Sequence, residues 1–329
     1  MKKISLNVCL ACALMLLATN SAFAQSTIKL SGTIFSDYAY TFSSPEGARD
    51  GENGFDFRRI YLTSDFKLSD TFDGRFRLEA TDNATASNGK PAAFVKDLYV
   101  RWKSALGEGH NVIFGISPPP MWLVSEKQWG YRGLEATLMD RGKVASSRDM
   151  GIAFNGPLTS NGKVKYGLMF ANNSGEKAET DKFKRLYGQL EFYPTENLNM
   201  TLGGDYYQFN GGSSVSGNLF VGYSMDALHI GVEGFVNPKT IDAANDEDTR
   251  IGASFFGYYD VNDTGRLIAR YDLIDRDNIG TSTQNNWLIL GYSFRPEKGI
   301  EIIPNLLFDK NDVDNDATLT GRLTVVASF

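Results

Sequence analysis

The last ten residues of the chain, TGRLTVVASF at positions 320–329, show the alternation from which the prediction of the fold starts. Apolar side chains occupy every second position, from Leu323 through Val325 to Phe329, and polar side chains such as Arg322 lie between them. This period of two predicts a β-strand whose two faces meet different surroundings. Only Val326 breaks the alternation. Such strands occur in soluble and membrane sheets alike, so the rest of the sequence has to decide what lies on each face.

The same period of two recurs along the whole chain. Clear examples are IKLSGTIFSDYAYTF (28–42), GRFRLEAT (74–81) and RLIARYDLI (266–274). We count roughly sixteen such segments, and helical periodicity is confined to one long connection. The sequence therefore predicts an all-β chain of about sixteen antiparallel strands.

The connections between these segments alternate in length. Tight links such as GPLTSNG (156–162) and VNDTG (261–265) take turns with longer polar links such as SSPEGARDGENG (43–54) and NNSGEKAETDK (172–182). Short turns at one end and long loops at the other are typical of outer-membrane barrels. A soluble sandwich gives no reason for such sorting, so the pattern favours a transmembrane barrel.

One face of the predicted strands carries many charges. They include Arg59, Arg75, Arg77 and Arg101. A charged side chain is costly against hydrocarbon and stable against water, so this face should line a wet lumen. Aromatic residues such as Tyr38 and Phe42 gather at strand ends, as in the interfacial girdles of membrane barrels. In a soluble sandwich the same alternation would separate core from solvent, and that alternative stays open on this evidence alone.

The amino-terminal region predicts export. Residues 1–24 combine Lys2 and Lys3, an apolar run and a small-residue cleavage pattern, which is typical of a signal peptide. Both cysteines of the chain, Cys9 and Cys12, lie within it. Residues 25–329 are then expected to form a single barrel domain that lacks cysteine. Its formal charge would be −8, since the full chain carries −6 and loses two lysines, and this acidic balance argues against a nucleic-acid partner.

The connection 117–148 is too long for an ordinary loop and too apolar to be disordered. It contains Trp122, Trp129, Leu134 and Leu138, so it should pack against something. By count it is the third external loop, and it resembles the third external loop of general porins, which folds into the barrel and narrows it. The resemblance implies that this connection is a constriction loop inside the lumen. Its charged residues Glu126, Arg132, Glu135, Asp140, Arg141 and Arg148 would then face Arg59, Arg75, Arg77 and Arg101. The alternative is a loop folded over the barrel mouth or against a neighbouring subunit.

Three stretches resemble known outer-membrane proteins. The last strand, ending in Phe329, resembles the terminal signal that bacterial outer-membrane barrels present to their assembly machinery. GFDFRRIYLTSDFKLSDTFDGRFRLE (54–79) resembles the opening hairpin of the phosphate-selective porin O and P family, and Arg58 and Arg59 match its paired arginines. Residues 129–156 are broadly similar to the long loop and following strand of porins related to that family. The resemblance implies a sixteen-stranded, trimeric pore.

These observations predict a porin in the outer membrane of a Gram-negative bacterium. It would pass small hydrophilic solutes and ions by diffusion, with a mild preference for anions, in contact with membrane lipid and lipopolysaccharide. Two alternatives stay open: a channel specific for phosphate or another small anion, and a plugged barrel whose external loops bind a partner. The sequence predicts no enzyme, cofactor or metal site, because His110 and His229 lie beside tight turns without an evident catalytic partner.

One group of residues does not fit the two-faced pattern. Trp287, Ile289, Ile303 and Leu307 fall on the parity that should face water. A register change near Pro304 would explain this, and so would contact with the inserted loop.

Overall fold

The described residues form one closed antiparallel barrel. The computed structural model describes residues 27–86, 88–241, 246–278, 281–314 and 316–329, so the predicted signal peptide lies outside the described residues. The strands are β1 (Thr27–Ser43), β2 (Asn53–Lys67), β3 (Phe72–Thr85), β4 (Pro91–Trp102), β5 (Asn111–Ser117), β6 (Asp149–Pro157), β7 (Val164–Ala171), β8 (Arg185–Phe192), β9 (Leu198–Phe209), β10 (Gly212–Met225), β11 (Leu228–Ile241), β12 (Asp246–Asp260), β13 (Gly265–Asn278), β14 (Thr281–Glu297), β15 (Ile300–Asn311) and β16 (Thr318–Ser328). Each strand pairs with its neighbours in the chain, and β16 closes on β1. The predicted fold class and strand number are confirmed.

The carboxyl terminus is fixed by this closure. The backbone amide of Gly32 donates to the carbonyl of Phe329 at 2.9 Å, and the amide of Phe329 donates back at 3.0 Å. The phenyl ring of Phe329 lies over Gly32, where a larger side chain would begin, so any other residue at position 32 would have to displace that ring. The alternation that ends at Phe329 therefore belongs to a paired strand.

The two faces of the strands differ as the period of two predicts. In β16, Leu323 and Val325 are exposed on the outer face, and Thr324 between them is fully buried on the inner face. In β11, Val232 is exposed and Glu233 is buried. The barrel thus has an apolar exterior, and the inner positions of these strands are polar.

Two β-bulges alter which residues point inward. Between β1 and β2, Phe35 pairs with Arg59 and Ser36 pairs with Phe57, which leaves Arg58 as an extra residue. Between β3 and β4 the register skips Lys96 in the same way. A bulge places two consecutive side chains on nearly the same face. Arg58 and Arg59, and likewise Lys96 and Asp97, therefore all contact inner residues.

The connections follow the predicted sorting by length only in part. The long connections 44–52, 118–148 and 172–184 lie at the same end of the barrel, but the connection 210–211 at that end is a tight turn. Polar stretches whose composition is typical of loops, such as 237–241 and 246–248, belong to β11 and β12. Paired strands satisfy the backbone of these residues regardless of their polarity, so the strands run further than the composition suggests.

Helical structure within the described residues is brief. Connection 44–52 contains a 3₁₀ turn, Pro45–Gly47, and connection 118–148 contains α1 (Leu123–Trp129) and α2 (Leu138–Arg141). No helix among the described residues is long and apolar enough to cross a bilayer.

Candidate functional site

The connection between β5 and β6, residues 118–148, is the principal element inside the barrel; it is called the inner segment below. Three prolines, Pro118, Pro119 and Pro120, follow β5 directly. Proline lacks the amide hydrogen that a strand ladder needs, so β5 ends at Ser117 and the chain leaves the wall. The apolar residues of the inner segment then become almost completely buried, among them Trp122, Trp129, Leu134, Leu138 and Met139.

The buried side chains form two clusters with the inner face of the barrel. In the first, Met121, Trp122, Leu138 and Met139 pack with wall residues that include Met169, Tyr187 and Phe235. In the second, Trp129, Tyr131 and Leu134 pack with Phe220, Phe256, Ile268, Trp287, Ile289 and Ile303. Because all these wall residues point inward, the inner segment lies inside the barrel, against β7–β8 and β10–β15.

This packing explains the residues that broke the two-faced pattern. Trp287, Ile289 and Ile303 are inward-facing apolar residues that contact the inner segment. Strands β14 and β15 keep one register from Asn285 to Phe294, and the irregularity falls between Phe294 and Glu297. Contact with the inner segment is therefore the correct explanation, and a register change near Pro304 is wrong.

Polar contacts fix the inner segment to the same side of the wall. The carboxylate of Glu233 accepts hydrogen bonds from Ser125 Oγ at 2.9 Å and from the backbone amide of Leu138 at 3.2 Å. On β13, the guanidinium of Arg270 donates to the carbonyl of Ala136 at 2.7 Å and pairs with Asp272 at 2.8 Å. Buried polar groups of the wall are thus hydrogen-bonded to the backbone of the inner segment and to the side chain of Ser125.

Tyr131 of the inner segment contacts inward-facing residues of β12 and β13. Its hydroxyl accepts a hydrogen bond from the guanidinium of Arg266 at 3.3 Å, and the same guanidinium lies 4.0 Å from the ring of Tyr258. Burial raises the pKa of Tyr131 to about 12. The phenol therefore stays neutral at physiological pH.

The inward arginines of β2–β4, together with their carboxylate partners, form what is called the basic wall below. The ion pairs join Arg59 to Glu79 (3.0 Å), Arg77 to Asp97 (3.4 Å), Arg75 to Asp65 (2.7 Å) and Arg101 to Asp73 (2.6 Å). Tyr61 lies between two of these cations. Its hydroxyl accepts from Arg59 at 3.0 Å, and the guanidinium of Arg77 lies 4.9 Å from its ring. The structure thus brings all four predicted wall arginines to one side of the lumen.

Three charged residues of the inner segment interact with one another and face the basic wall. Arg132 pairs with Asp140 at 3.0 Å and with Glu126 at 3.6 Å, and all three remain partly exposed. Asp140 interacts electrostatically with Arg59, and Glu126 does so with Arg148, so this trio faces the basic wall.

Arg148 joins the basic wall itself. Its guanidinium pairs with Asp97 and donates to the carbonyl of Ser147 at 2.6 Å. Burial opposes the charged form, but the neighbouring Asp97 outweighs it, so the pKa of Arg148 is raised.

Two predicted residues lie elsewhere. Arg141 was expected to face the basic wall, and this expectation is wrong: its guanidinium donates to Asn285 at 2.9 Å, pairs with Asp272 at 3.6 Å and stacks 4.4 Å from the ring of Trp287. Burial lowers the pKa of Arg141. The carboxylate of Glu135 accepts a hydrogen bond from the amide of Ala136, so it caps its own backbone. The reason is that the backbone of the inner segment turns between successive residues, so neighbouring side chains point to opposite sides of the lumen.

Several inner residues were not predicted as part of the site. Arg58 pairs with Asp37 and donates to the carbonyl of Leu134 at 3.3 Å. Lys96 pairs with Glu79 at 3.3 Å and with Glu176 at 2.7 Å. Arg58 appeared only through the family resemblance, and Lys96 faces inward only because of a bulge that a period-two reading does not reveal.

Individual inward arginines differ in their access to water. On the basic wall, the side chains of Arg75 and Arg101 are 31% and 40% exposed. On the side covered by the inner segment, those of Arg185 and Arg270 are 3% and 1% exposed. A cavity of about 390 Å³ lies beside the basic wall, lined by residues that include Lys29, Asp65, Arg75, Tyr99 and Arg101. Within the described part of the chain, no three histidine or acidic side chains gather as a metal site would require.

No family model and no curated protein sequence matches the chain. Solved structures do match. The anion-selective porin from Comamonas acidovorans superposes with a TM-score of 0.71 at 15% identity, over 93% of this chain and 100% of that chain. Salmonella typhi OmpF, in complex with daunomycin, gives 0.71 at 11% identity over 92% and 97%. Vibrio cholerae OmpT gives 0.68 at 11% identity over 93% and 98%. The chain therefore has the closed sixteen-stranded barrel fold of bacterial outer-membrane porins.

Proposed function

We propose that this protein is a diffusion channel of the bacterial outer membrane, which passes small hydrophilic solutes and ions between the basic wall and the inner segment. The proposal rests on the unequal exposure to water of the charged side chains that face the lumen. The inner segment covers Arg185 on β8 and Arg270 on β13, whereas Arg75 on β3 and Arg101 on β4 remain accessible. Passage would follow the accessible side, with the inner segment as the constriction.

The pattern of charges supports weak selectivity. Each arginine of the basic wall has a carboxylate partner, which reduces its attraction for a passing anion. The cations still outnumber the carboxylates near the constriction, because Arg59 and Lys96 share Glu79 and because Arg77 and Arg148 share Asp97. Opposed charges on the two sides of a pore set its ion preference. The expected preference is a mild one for anions.

Conductance in a planar bilayer tests this proposal. We expect stepwise, ohmic currents and, in a potassium chloride gradient, a reversal potential displaced slightly toward that of chloride. When phosphate is added, the chloride current should still rise in proportion to the chloride concentration. Current that saturates with phosphate would instead identify a phosphate-specific channel.

A second candidate is a plugged barrel whose loops bind a partner. It is favoured by the complete burial of Trp129, Leu134 and Leu138, which fixes the inner segment within the barrel. The same bilayer experiment separates the two, because a plugged barrel inserts without conducting.

The assembly of the protein is proposed on the same basis. One structure of Vibrio cholerae OmpT, with a TM-score of 0.68 and 12% identity over 93% of this chain and 100% of that chain, is a trimer form. We propose a homotrimer in contact with lipid and lipopolysaccharide, with Phe329 presented to the barrel assembly machinery. Cross-linking of the detergent-extracted protein should give a three-chain product, and a product of one chain would refute the trimer.

A further inference from the structure

The connection between β7 and β8, residues 172–184, supplies a second element to the lumen. Its first residues turn inward and are half-buried or buried, whereas residues 177–182 are exposed. The amide of Asn173 donates to the carboxylate of Asp149 at 2.8 Å, and the side-chain oxygen of Asn173 accepts from Arg185 at 3.0 Å. These two contacts hold the start of the connection against the inner face.

Gly175 allows the connection to approach the inner segment closely. Its φ of +66° lies in the left-handed region, and a Cβ at this position would lie 2.9 Å from Ser146 Oγ. Glycine alone accepts both conditions without strain. The next residue, Glu176, is thereby placed at the edge of the basic wall.

Glu176 forms an ion pair there that bridges distant parts of the chain. Its carboxylate lies 2.7 Å from Lys96 Nζ, and both side chains are largely buried. Lys96 also pairs with Glu79 at 3.3 Å, so the lysine is held between a wall carboxylate and a loop carboxylate. In contrast, Glu179 of the same connection pairs with its neighbour Lys184 at 2.9 Å, away from the basic wall.

The charge balance at this point depends on Glu176. Four cations, Arg59, Lys96, Arg77 and Arg148, share two wall carboxylates, Glu79 and Asp97. Glu176 is a third carboxylate, and it comes from a different element. Resting on the channel function proposed above, we infer that Glu176 is a selectivity-determining residue, which halves the net positive charge of the basic wall at the constriction. The preference for anions is weak because Glu176 is in place.

The test compares Glu176→Gln with Glu179→Gln in planar bilayers. Both substitutions remove one negative charge from the same connection, but only the first leaves Lys96 with a single partner. One unit charge at roughly 7 Å in water, with its effect about halved by salt at about 0.1 M, changes the local concentrations of chloride and potassium about 1.6-fold each in opposite directions, so their ratio changes about two- to threefold. We therefore expect Glu176→Gln to raise the chloride-to-potassium permeability ratio about two- to threefold, and Glu179→Gln to leave it unchanged. Equal ratios in the two variants would overturn the inference.

A cysteine variant distinguishes the effect of the charge at position 176 from an effect of the substitution on folding. Glu176→Cys is inserted into the bilayer and then treated, while conducting, with a thiosulfonate reagent that carries a sulfonate group or with a neutral one of similar size. The sulfonate should restore the original permeability ratio and the neutral group should not; identical responses would refute the inference. Absence of current from the unsubstituted protein would refute the channel function itself, so the two failures are distinguishable.

Discussion

Replacement of Trp129 by alanine should release the inner segment from the wall. Trp129 is 0% exposed and packs at 5.6 Å from Tyr131 and 5.4 Å from Phe256, with the Arg270 guanidinium 4.9 Å from its ring. Truncation of a buried tryptophan typically costs about 3–5 kcal/mol. The backbone pairing of the barrel is untouched, so the cost should fall on the docking of the inner segment.

This cost translates into a rate of proteolysis. When a segment opens and closes faster than it is cut, cleavage follows the open population, and about 3 kcal/mol corresponds to an increase of more than about 100-fold. We expect trypsin to cut the folded, detergent-solubilised Trp129→Ala variant at Lys127 or Arg132 at least about 100-fold faster than the unsubstituted protein.

The matched control is Leu123→Ala, in the same helix α1, because Leu123 is 41% exposed. Its cleavage rate should stay within a few-fold of the unsubstituted protein. If Trp129→Ala and Leu123→Ala are cut at the same rate, the hydrophobic cluster does not hold the segment in place. Single-channel recordings of Trp129→Ala should in addition become noisier, since the constriction would move.

Two further predictions concern the basic wall and the closing seam. Joint replacement of Arg59, Arg75 and Arg77 by glutamine should shift the reversal potential toward the potassium equilibrium potential, because their partner carboxylates remain. The control Arg49→Gln, which removes an exposed pair with Glu52 at 2.8 Å, should leave the reversal potential unchanged. An unchanged potential in the triple variant would mean that these side chains do not line the constriction. Gly32→Val should displace the ring of Phe329 and cost about 1–3 kcal/mol, lowering the temperature at which the folded band is lost in sodium dodecyl sulfate gels, whereas Gly54→Val meets no atom within 4 Å and should migrate as the unsubstituted protein does.

The sequence predicted the fold well because a barrel strand has to show its two faces locally. Leu323, Val325 and Phe329 alternate with polar residues because lipid lies outside and water inside, so period two predicted the strands. The sorting of loop lengths was needed in addition to favour a membrane barrel over a soluble sandwich. Composition was also sufficient to mark residues 117–148 as a packed element. Even the exception at Val326 carried information, since this residue packs against the second hydrophobic cluster.

Individual charges of the candidate site were harder to place from sequence. Arg141 meets Asp272 and Asn285 on one wall, while Asp140, its immediate neighbour, faces the basic wall. A short helix and its flanking turns rotate successive side chains by large angles, and the sequence does not state how the segment is oriented in the lumen.

What the sequence by itself determined is the period of the strands, the chemistry of their two faces and the presence of a large apolar connection. What only the tertiary structure decided is which charges meet: Lys96 reaches both Glu79 and Glu176 because a bulge turns it inward and because a loop from β7–β8 folds toward β4. The physical reason is that alternation is a property of consecutive residues, whereas an ion pair across a lumen depends on register, bulges and loop paths that bring distant parts of the chain within a few ångströms.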